Sequence, residues 1–120
     1  MLYNIEIVKN NVLATMRGEL DDHYARQIRE KLDFVLMRKE ITGVIFDLSE
    51  LEFMDSSGIG LLMGRYRLIR NRAGRAALIC KNEKIIKLLK MSGILQIFSL
   101  YETRTECFGE MTKEAGAYNG

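Results

Sequence analysis

The chain has 120 residues and a mass of 13.8 kDa, which is the size of one ordinary domain. Hydrophobic residues make up 48% and charged residues 28%, a globular composition that excludes a disordered or fibrous chain. The net charge of +2 is too small to indicate a nucleic-acid partner by itself, and no apolar run approaches the ~20 residues of a membrane-spanning helix.

The cysteines and the first residues of the chain favour a cytoplasmic protein. Residues 1–6 show neither the basic start nor the apolar stretch of a signal peptide. Cys80 and Cys107 fit no disulfide framework, and with a single histidine in the chain they give no zinc-binding spacing. We therefore expect two free thiols, no metal site and no cofactor.

A β-hairpin opens the chain. Polar and apolar side chains alternate over residues 2–8, which is the period of a strand. Asn10 and Asn11 tolerate the positive φ of a tight turn, and residues 12–17 then form the returning strand. The segment 18–22 ends that strand and closes with two aspartates suited to cap a helix.

A helix and a buried strand follow the hairpin. Apolar side chains recur every three or four residues from Ala25 to Leu36, which predicts an amphipathic helix that ends near Arg38. Residues 44–48 are apolar and β-rich without alternation, which is typical of a strand covered on both faces.

The second half of the chain alternates helices with strands, without a linker or a shift in composition. The predicted elements are a helix over 59–69 closed by Gly74, a strand over 76–80, a helix capped by Asn82 and ended by Ser92-Gly93, a strand over 94–100 and a helix over 102–111.

The order β-β-α-β-α-β-α-β-α predicts a single α/β domain over residues 1–111. We expect a mixed sheet with helices packed around it, in which the strands after the N-terminal β-hairpin are parallel and joined by right-handed crossovers. Residues 112–120 are polar and contain glycine, so they are expected to form a flexible C-terminal tail.

Residues 53–60, with the sequence FMDSSGIG, form the most informative segment. Residues 48–54 lead out of a buried strand, and the next helix starts around Ser57 with Asp55 or Ser56 as its cap. In α/β sheets, ligands collect where the carboxyl ends of strands meet helix N-termini. This turn is therefore the predicted functional site.

Two glycines in the first turn of that helix support a functional role. Gly58 and Gly60 each cost up to ~1 kcal/mol relative to alanine in a helix, which suggests close approach by another backbone or by a partner. The alternative is a turn that serves only as a good helix cap. Turn chemistry does not decide between cap and site, nor between Ser56 and Ser57.

The sequence disfavours an enzymatic function for the serine turn. Only His23 is available as a base for a nucleophilic serine, and the Gly-x-Ser-x-Gly elbow is absent. The turn also lacks the lysine of a phosphate-binding Walker loop. We expect no catalytic residue and a protein that is not an enzyme.

Four motifs occur in an order and spacing that together are specific. They are Gly18-Glu19-Leu20-Asp21, residues 53–60, Gly64-Arg65-Tyr66 and Met91-Ser92-Gly93. On these motifs, the chain over residues 2–108 resembles the bacterial anti-sigma factor antagonists, the STAS-domain family. It is most similar to the sporulation branch, the anti-sigma F factor antagonists.

The resemblance implies a binding switch. In that family the unmodified protein binds an anti-sigma factor that is also a serine kinase, and the sigma factor is released. The kinase then phosphorylates the antagonist with ATP, and a serine phosphatase restores the active form. The first serine of the motif is the phosphoacceptor, which corresponds to Ser56. We expect a monomer when free, with no direct nucleic-acid partner and no membrane partner.

The resemblance also implies a docking surface formed by the two loops at the serine turn. Its expected residues are Gly18, Glu19, Leu20, Asp21, Asp22, His23, Asp55, Ser56, Ser57, Gly58, Gly60 and Arg65. Asp22 stands where relatives of the sporulation branch often carry histidine, and Tyr24 replaces a commoner small hydroxyl residue, so the detailed contacts differ.

Two other functions fit parts of the sequence. The first is a STAS scaffold or phospho-switch that serves another signalling relay. The second is nucleic-acid binding through a run of arginines, although such a run usually marks a solvated helix face. Its members are Arg65, Arg67, Arg70, Arg72 and Arg75.

Overall fold

The computed structural model describes residues 1–113, in which five strands form one sheet flanked by four α-helices. The strands are β1 (Leu2–Val8), β2 (Asn11–Leu20), β3 (Gly43–Met54), β4 (Arg75–Ile79) and β5 (Ser99–Tyr101). The helices are α1 (Asp22–Val35), α2 (Ser56–Arg70), α3 (Glu83–Met91) and α4 (Arg104–Met111), with a short 3-10 helix at Ile94–Gln96.

The sheet is mixed, and its strands lie side by side in chain order from β1 to β5. β1 pairs antiparallel with β2, whereas β2, β3, β4 and β5 are parallel to one another. Helices connect the parallel strands, as a parallel pair requires a crossover. The predicted fold class, an N-terminal hairpin followed by alternating β/α units in one domain, is confirmed.

The helices divide unequally between the two faces of the sheet. Buried side chains of α1, α2 and α3, such as Ile28, Leu62 and Leu89, pack with one set of strand side chains into the main core. Cys107 and Met111 of α4 pack with the opposite set in a smaller cluster. Because strand side chains alternate between faces, β3 and β4 are apolar at consecutive positions. Within residues 1–113, none of the helices has the length and apolar character needed to cross a membrane.

Two strands are longer than the sequence predicts. The strand expected over 12–17 continues to Leu20, and the one expected over 44–48 continues to Met54. Their pairing persists to the register pair Leu20–Met54, with irregularities between Thr15 and Arg17 and between Gly18 and Glu19. Gly18 has a φ of +101°, which a side chain would strain, so it permits the second irregularity.

The strand predicted over 94–100 is wrong in its first half. Ile94 begins the 3-10 helix, and the N–H of Phe98 donates to the carbonyl of Ile94 at 2.9 Å. Both side chains are buried, so their four-residue spacing reflects a helical turn rather than alternation along a strand. Only Ser99–Tyr101 pairs with the sheet.

Gly74 does not close α2 in the predicted way. The helix ends at a cap on Asn71, and Ala73, with a φ of +56°, is the residue in the left-handed region. A Cβ atom on Gly74 would lie 2.0 Å from the carbonyl oxygen of Thr42. The glycine is therefore required by a close backbone approach. Residues 114–120, most of the predicted tail, lie outside the described residues.

Candidate functional site

Two helix N-termini meet at the carboxyl ends of β2 and β3. α1 follows directly on β2 and α2 follows directly on β3, so the parallel pairing of these strands brings both helix starts to one edge of the sheet. The backbone N–H of Asp55 donates to the carbonyl of Leu20 at 3.3 Å and fastens the two turns together. The sequence-predicted serine turn and the segment from Gly18 to His23 are thus neighbours.

Each of the two helices is capped by an aspartate. Oδ1 of Asp21 accepts a hydrogen bond from the N–H of Tyr24 at 3.0 Å. Oδ1 of Asp55 accepts one from the N–H of Ser57 at 2.9 Å. Asp55 is therefore the cap of α2, and Ser56 is the first residue of the helix, an assignment that the turn chemistry alone had left open.

The two serines of the turn have different environments. The Ser57 hydroxyl donates to Oδ1 of Asp22 at 3.2 Å, and its residue is half-buried. Ser56 is exposed. The side chain of Ser57 is held between the helices, whereas the hydroxyl of Ser56 is open to an approaching protein.

Asp22 connects the two helix starts. Its Oδ2 accepts a hydrogen bond from Nε of Arg26 at 3.1 Å, while its Oδ1 accepts from Ser57. The hydrogen bond from the Arg26 side chain is the main cause that holds the pKa of Asp22 below its ordinary value, and the Ser57 hydroxyl contributes. Asp22 is therefore charged at neutral pH.

The two glycines of the first turn of α2 have different roles. A Cβ atom on Gly58 would lie 2.3 Å from Cγ of Met54 and 3.0 Å from Cδ2 of Leu20, so this glycine lets the helix pack closely on both strand ends. A Cβ on Gly60 would meet no atom of residues 1–113 within 4 Å. The close approach expected at both positions occurs within the fold at Gly58 and is not observed at Gly60 among the described residues.

A family model for the STAS domain matches residues 3–107. The chain belongs to the STAS domain family. Its curated relatives include the anti-sigma F factor antagonist of Paenibacillus polymyxa, 33% identical over 83% of this chain and 86% of the relative. The corresponding protein of Lysinibacillus sphaericus is 37% identical over 78% of this chain and 81% of the relative.

The fold of this STAS domain also matches solved structures of the anti-sigma factor antagonist SpoIIAA. The unphosphorylated form of SpoIIAA superposes with a TM-score of 0.79 at 29% identity, and the match covers 94% of this chain and 100% of the SpoIIAA chain. The Bacillus SpoIIAA in its phosphorylated form superposes with a TM-score of 0.75 at 31% identity, covering 90% and 97% of the two chains.

This STAS domain brings most of the predicted docking residues to one edge, but not all of them reach its surface. The exposed ones are Glu19, Asp21, Asp22, His23, Ser56 and Gly60. The half-buried ones are Gly18, Asp55 and Ser57. The buried ones are Leu20, Gly58 and Arg65. Leu20 and Gly58 pack closely against each other under the turn.

Arg65 and His23 lie at the margins of the site. Arg65 is only 8% exposed, and its Nε lies 3.2 Å from Oδ1 of Asp33 in the groove between α1 and α2. Nε2 of His23 lies 3.1 Å from Nε2 of Gln27 on the outer face of α1. No group of three or more potential metal-ligating side chains occurs in the part of the chain that the structure describes.

Two residues of this edge are missing from the docking surface that the resemblance implies, although Phe53 lies within the predicted segment 53–60. Phe53 pairs with Glu19 across the strands and is a large apolar side chain that is 50% exposed beside the serine turn. Its exposure was hidden because β3 was expected to end at residue 48. The second is Arg26, which lies on the polar face of α1, and its spacing of four from Asp22 is the sequence signal of an ion pair on a helix.

Proposed function

We propose that this STAS domain is an anti-sigma factor antagonist whose activity is switched off by phosphorylation of Ser56. The unphosphorylated form binds an anti-sigma factor that is also a serine kinase, and the bound sigma factor is freed. A serine phosphatase reverses the modification. The observation that carries the proposal is that Ser56 is exposed at the first position of α2. The hydroxyl of the neighbouring Ser57 is instead hydrogen-bonded to Asp22. The relatives that are anti-sigma F factor antagonists support the antagonist role, and the phosphorylated form of SpoIIAA supports a phosphorylated state.

The position of Ser56 suits a charge-based switch within an unchanged fold. A phosphate adds roughly −1.5 to −2 charges, and at the N-terminus of a helix this charge meets the positive end of the helix dipole. The free domain therefore tolerates the modification. The exposed hydroxyl has no packing role that the phosphate would disrupt.

The surroundings of Ser56 make the same charge unfavourable in a complex. Four carboxylates lie on the two connected turns, and we call them the acidic rim: Glu19, Asp21, Asp22 and Asp55. A partner that covers the rim must bind these carboxylates with cations or hydrogen-bond donors. These partner groups compensate the carboxylates alone, so a phosphate added among them is buried without cationic compensation of its own, which is costly. Release of the partner follows.

In this proposal the domain binds and is modified but catalyses no reaction. Because the partner sequesters a sigma factor, the interaction takes place in the cytoplasm. The domain is a monomer when it is free. Neither the phosphoacceptor hydroxyl nor the acidic rim requires a metal or a cofactor for this role.

The arginine run gives the nucleic-acid alternative little support. Arg72 donates to the backbone carbonyls of Arg38 and Ile41 at 3.1 and 3.0 Å, and thereby fastens the segment after α2 to the segment after α1. Nη2 of Arg75 donates to the carbonyl of Met111 at 3.3 Å, and Arg65 is buried. Most of these arginines therefore make contacts within the domain or are buried in it.

A pull-down tests the proposal and separates it from a scaffold role in another relay. The unphosphorylated domain and its Ser56-phosphorylated form are used as baits against the proteins of the source cell, with Ser57→Ala as a matched control bait. We expect the unphosphorylated domain and Ser57→Ala to retain a serine kinase that also binds a sigma factor, and the phosphorylated form to lose it. Retention of a partner unrelated to sigma control would favour the scaffold role.

A further inference from the structure

An open groove runs between α1 and α2 from the serine turn. Its volume is about 330 Å³, and the small residues Ala25, Gly60 and Gly64 contribute to its lining. In the described part of the chain, a Cβ atom on Gly60 or Gly64 would meet no atom within 4 Å, so there is space for a ligand group along this side of α2. The groove adjoins Ser57 and is continuous with the acidic rim.

One side chain that lines this groove has unmet hydrogen-bonding capacity. The Arg65 side chain is nine-tenths buried, with a relative exposure of 10%, and its Nε and Nη1 have no hydrogen-bond partner within residues 1–113. Nε lies 3.2 Å from Oδ1 of Asp33, but this is a charge contact without an aligned hydrogen bond. These two donors are enclosed by the fold, so the positive charge of Arg65 is incompletely neutralised, and a carboxylate in the groove would be attracted by it.

Positive charge exceeds negative charge in the groove. Arg26, Arg29 and Arg65 line it, and the carboxylates beside them are Asp22 and Asp33. Asp22 is paired with Arg26 and Asp33 with Arg65. Burial lowers the pKa of Arg65, the charge of Asp33 opposes this, and the charge of Arg29 reinforces it. Arg29 is exposed and is the cation best placed to receive an added anion.

We propose that the α1–α2 groove extends the docking surface for the anti-sigma factor and receives an acidic side chain of that protein, which is bound by Arg29 and attracted by the positive charge of Arg65. The inference rests on the proposed function, since the occupant is the same partner. It adds a charge pattern to the interface, because the rim is acidic and the groove is basic. A partner must then present a basic group to the rim and an acidic group to the groove, which fixes its orientation.

Charge reversal at Arg29 tests this inference. Arg29 is exposed, so Arg29→Glu should fold, and circular dichroism and thermal melting verify this. The matched control is Arg67→Glu, which makes the same change of charge at an exposed position of α2 that does not line the groove. We expect Arg29→Glu to weaken binding of the anti-sigma factor by about tenfold or more, and Arg67→Glu to change it by less than about twofold.

A compensating reversal on the partner identifies the acidic group. Acidic residues of the anti-sigma factor are changed singly to arginine and titrated against Arg29→Glu, and one of them should restore binding. Equal binding by Arg29→Glu and the wild-type domain would overturn the groove assignment, as would the absence of any restoring variant. Either result leaves the proposed function intact if phosphorylation of Ser56 still releases the partner. A wild-type domain that binds no anti-sigma factor would instead contradict the proposed function.

Discussion

The Ser57 hydroxyl donates a hydrogen bond to Oδ1 of Asp22 at 3.2 Å and thereby joins the first turn of α2 to the first turn of α1. This contact distinguishes two serines that are adjacent in the sequence and chemically identical. The Ser57 hydroxyl is held by this hydrogen bond between the helices, whereas Ser56 is exposed. Under the proposed switch, this contact makes Asp22 a determinant of which hydroxyl the kinase reaches.

Removal of Asp22 should expose Ser57 to the kinase. In a Ser56→Ala background, we expect the further change Asp22→Ala to raise phosphorylation of Ser57 by roughly two- to tenfold, because one hydrogen bond of modest strength no longer holds that hydroxyl. Time courses with the purified kinase and ATP, followed by mass-spectrometric site mapping, give the rate. Asp21→Ala in the same background is the control, since Asp21 bonds Tyr24 and not Ser57. Equal rates with and without Asp22 would show that the hydrogen bond does not protect Ser57.

The two glycines at the start of α2 should respond differently to alanine. Gly58→Ala places a methyl group against Met54 and Leu20, and we expect it to lower the free energy of unfolding by about 1–3 kcal/mol. Gly60→Ala has open space, so improved helix propensity should raise that free energy by up to ~1 kcal/mol. Urea denaturation measures both values.

Binding separates the structural glycine from the partner-facing one. If the partner covers the first turn of α2, Gly60→Ala should weaken the complex although the free domain is more stable. A Gly60→Ala domain that is both more stable and binds as the wild type would place the interface elsewhere.

The ion pair between Asp47 and Arg104 should make stability depend on pH. Nε of Arg104 lies 2.6 Å from Oδ2 of Asp47, and this contact fastens α4 to the sheet. Burial alone would raise the pKa of Asp47. The hydrogen bonds from the Ser49 hydroxyl and N–H, together with Arg104, outweigh it and hold the pKa below its ordinary value of 3.8.

A carboxyl group whose pKa is lowered by folding stabilises the folded state above the unfolded pKa. That stabilisation is lost as the pH falls through the folded pKa. We therefore expect the wild type to be more stable than Asp47→Asn at pH 7, with a difference that narrows below about pH 4. Urea unfolding at pH 7, 4 and 3 measures this difference. Glu52→Gln, at an exposed position of the same strand, is the control. A difference that stays constant with pH would show that the charge of Asp47 contributes nothing.

The sequence predicts the order of the elements because hydrophobic periodicity is strong in each of them. The prediction fails where an element depends on contacts with residues that are distant in the sequence. Half of the residues in 49–54 are polar, and the segment forms a strand because β2 continues alongside it past the irregularity at Gly18. Ile94 and Phe98 suit a strand by composition, and only their burial on one face of a turn shows otherwise.

The candidate site was predictable in its location but not in its contacts. Asp55 and Ser56 are both good cap residues, so the sequence could not choose between them, and the observed bond to Ser57 does. The burial of Arg65 and the hydrogen bond between Ser57 and Asp22 join residues from different helices. No local pattern encodes such contacts, since they depend on how α1 and α2 pack.

The most direct test of the account is the affinity of the anti-sigma factor for this domain before and after phosphorylation of Ser56. The domain is phosphorylated to completion by the kinase, and the site is verified by mass spectrometry. Both forms are then titrated calorimetrically. We predict that the phosphorylated form binds at least roughly a hundredfold more weakly, with unchanged circular dichroism, because the phosphate lies among the carboxylates of the acidic rim. Equal affinity of the two forms, or phosphate found on Ser57 with Ser56 unmodified, would contradict the account.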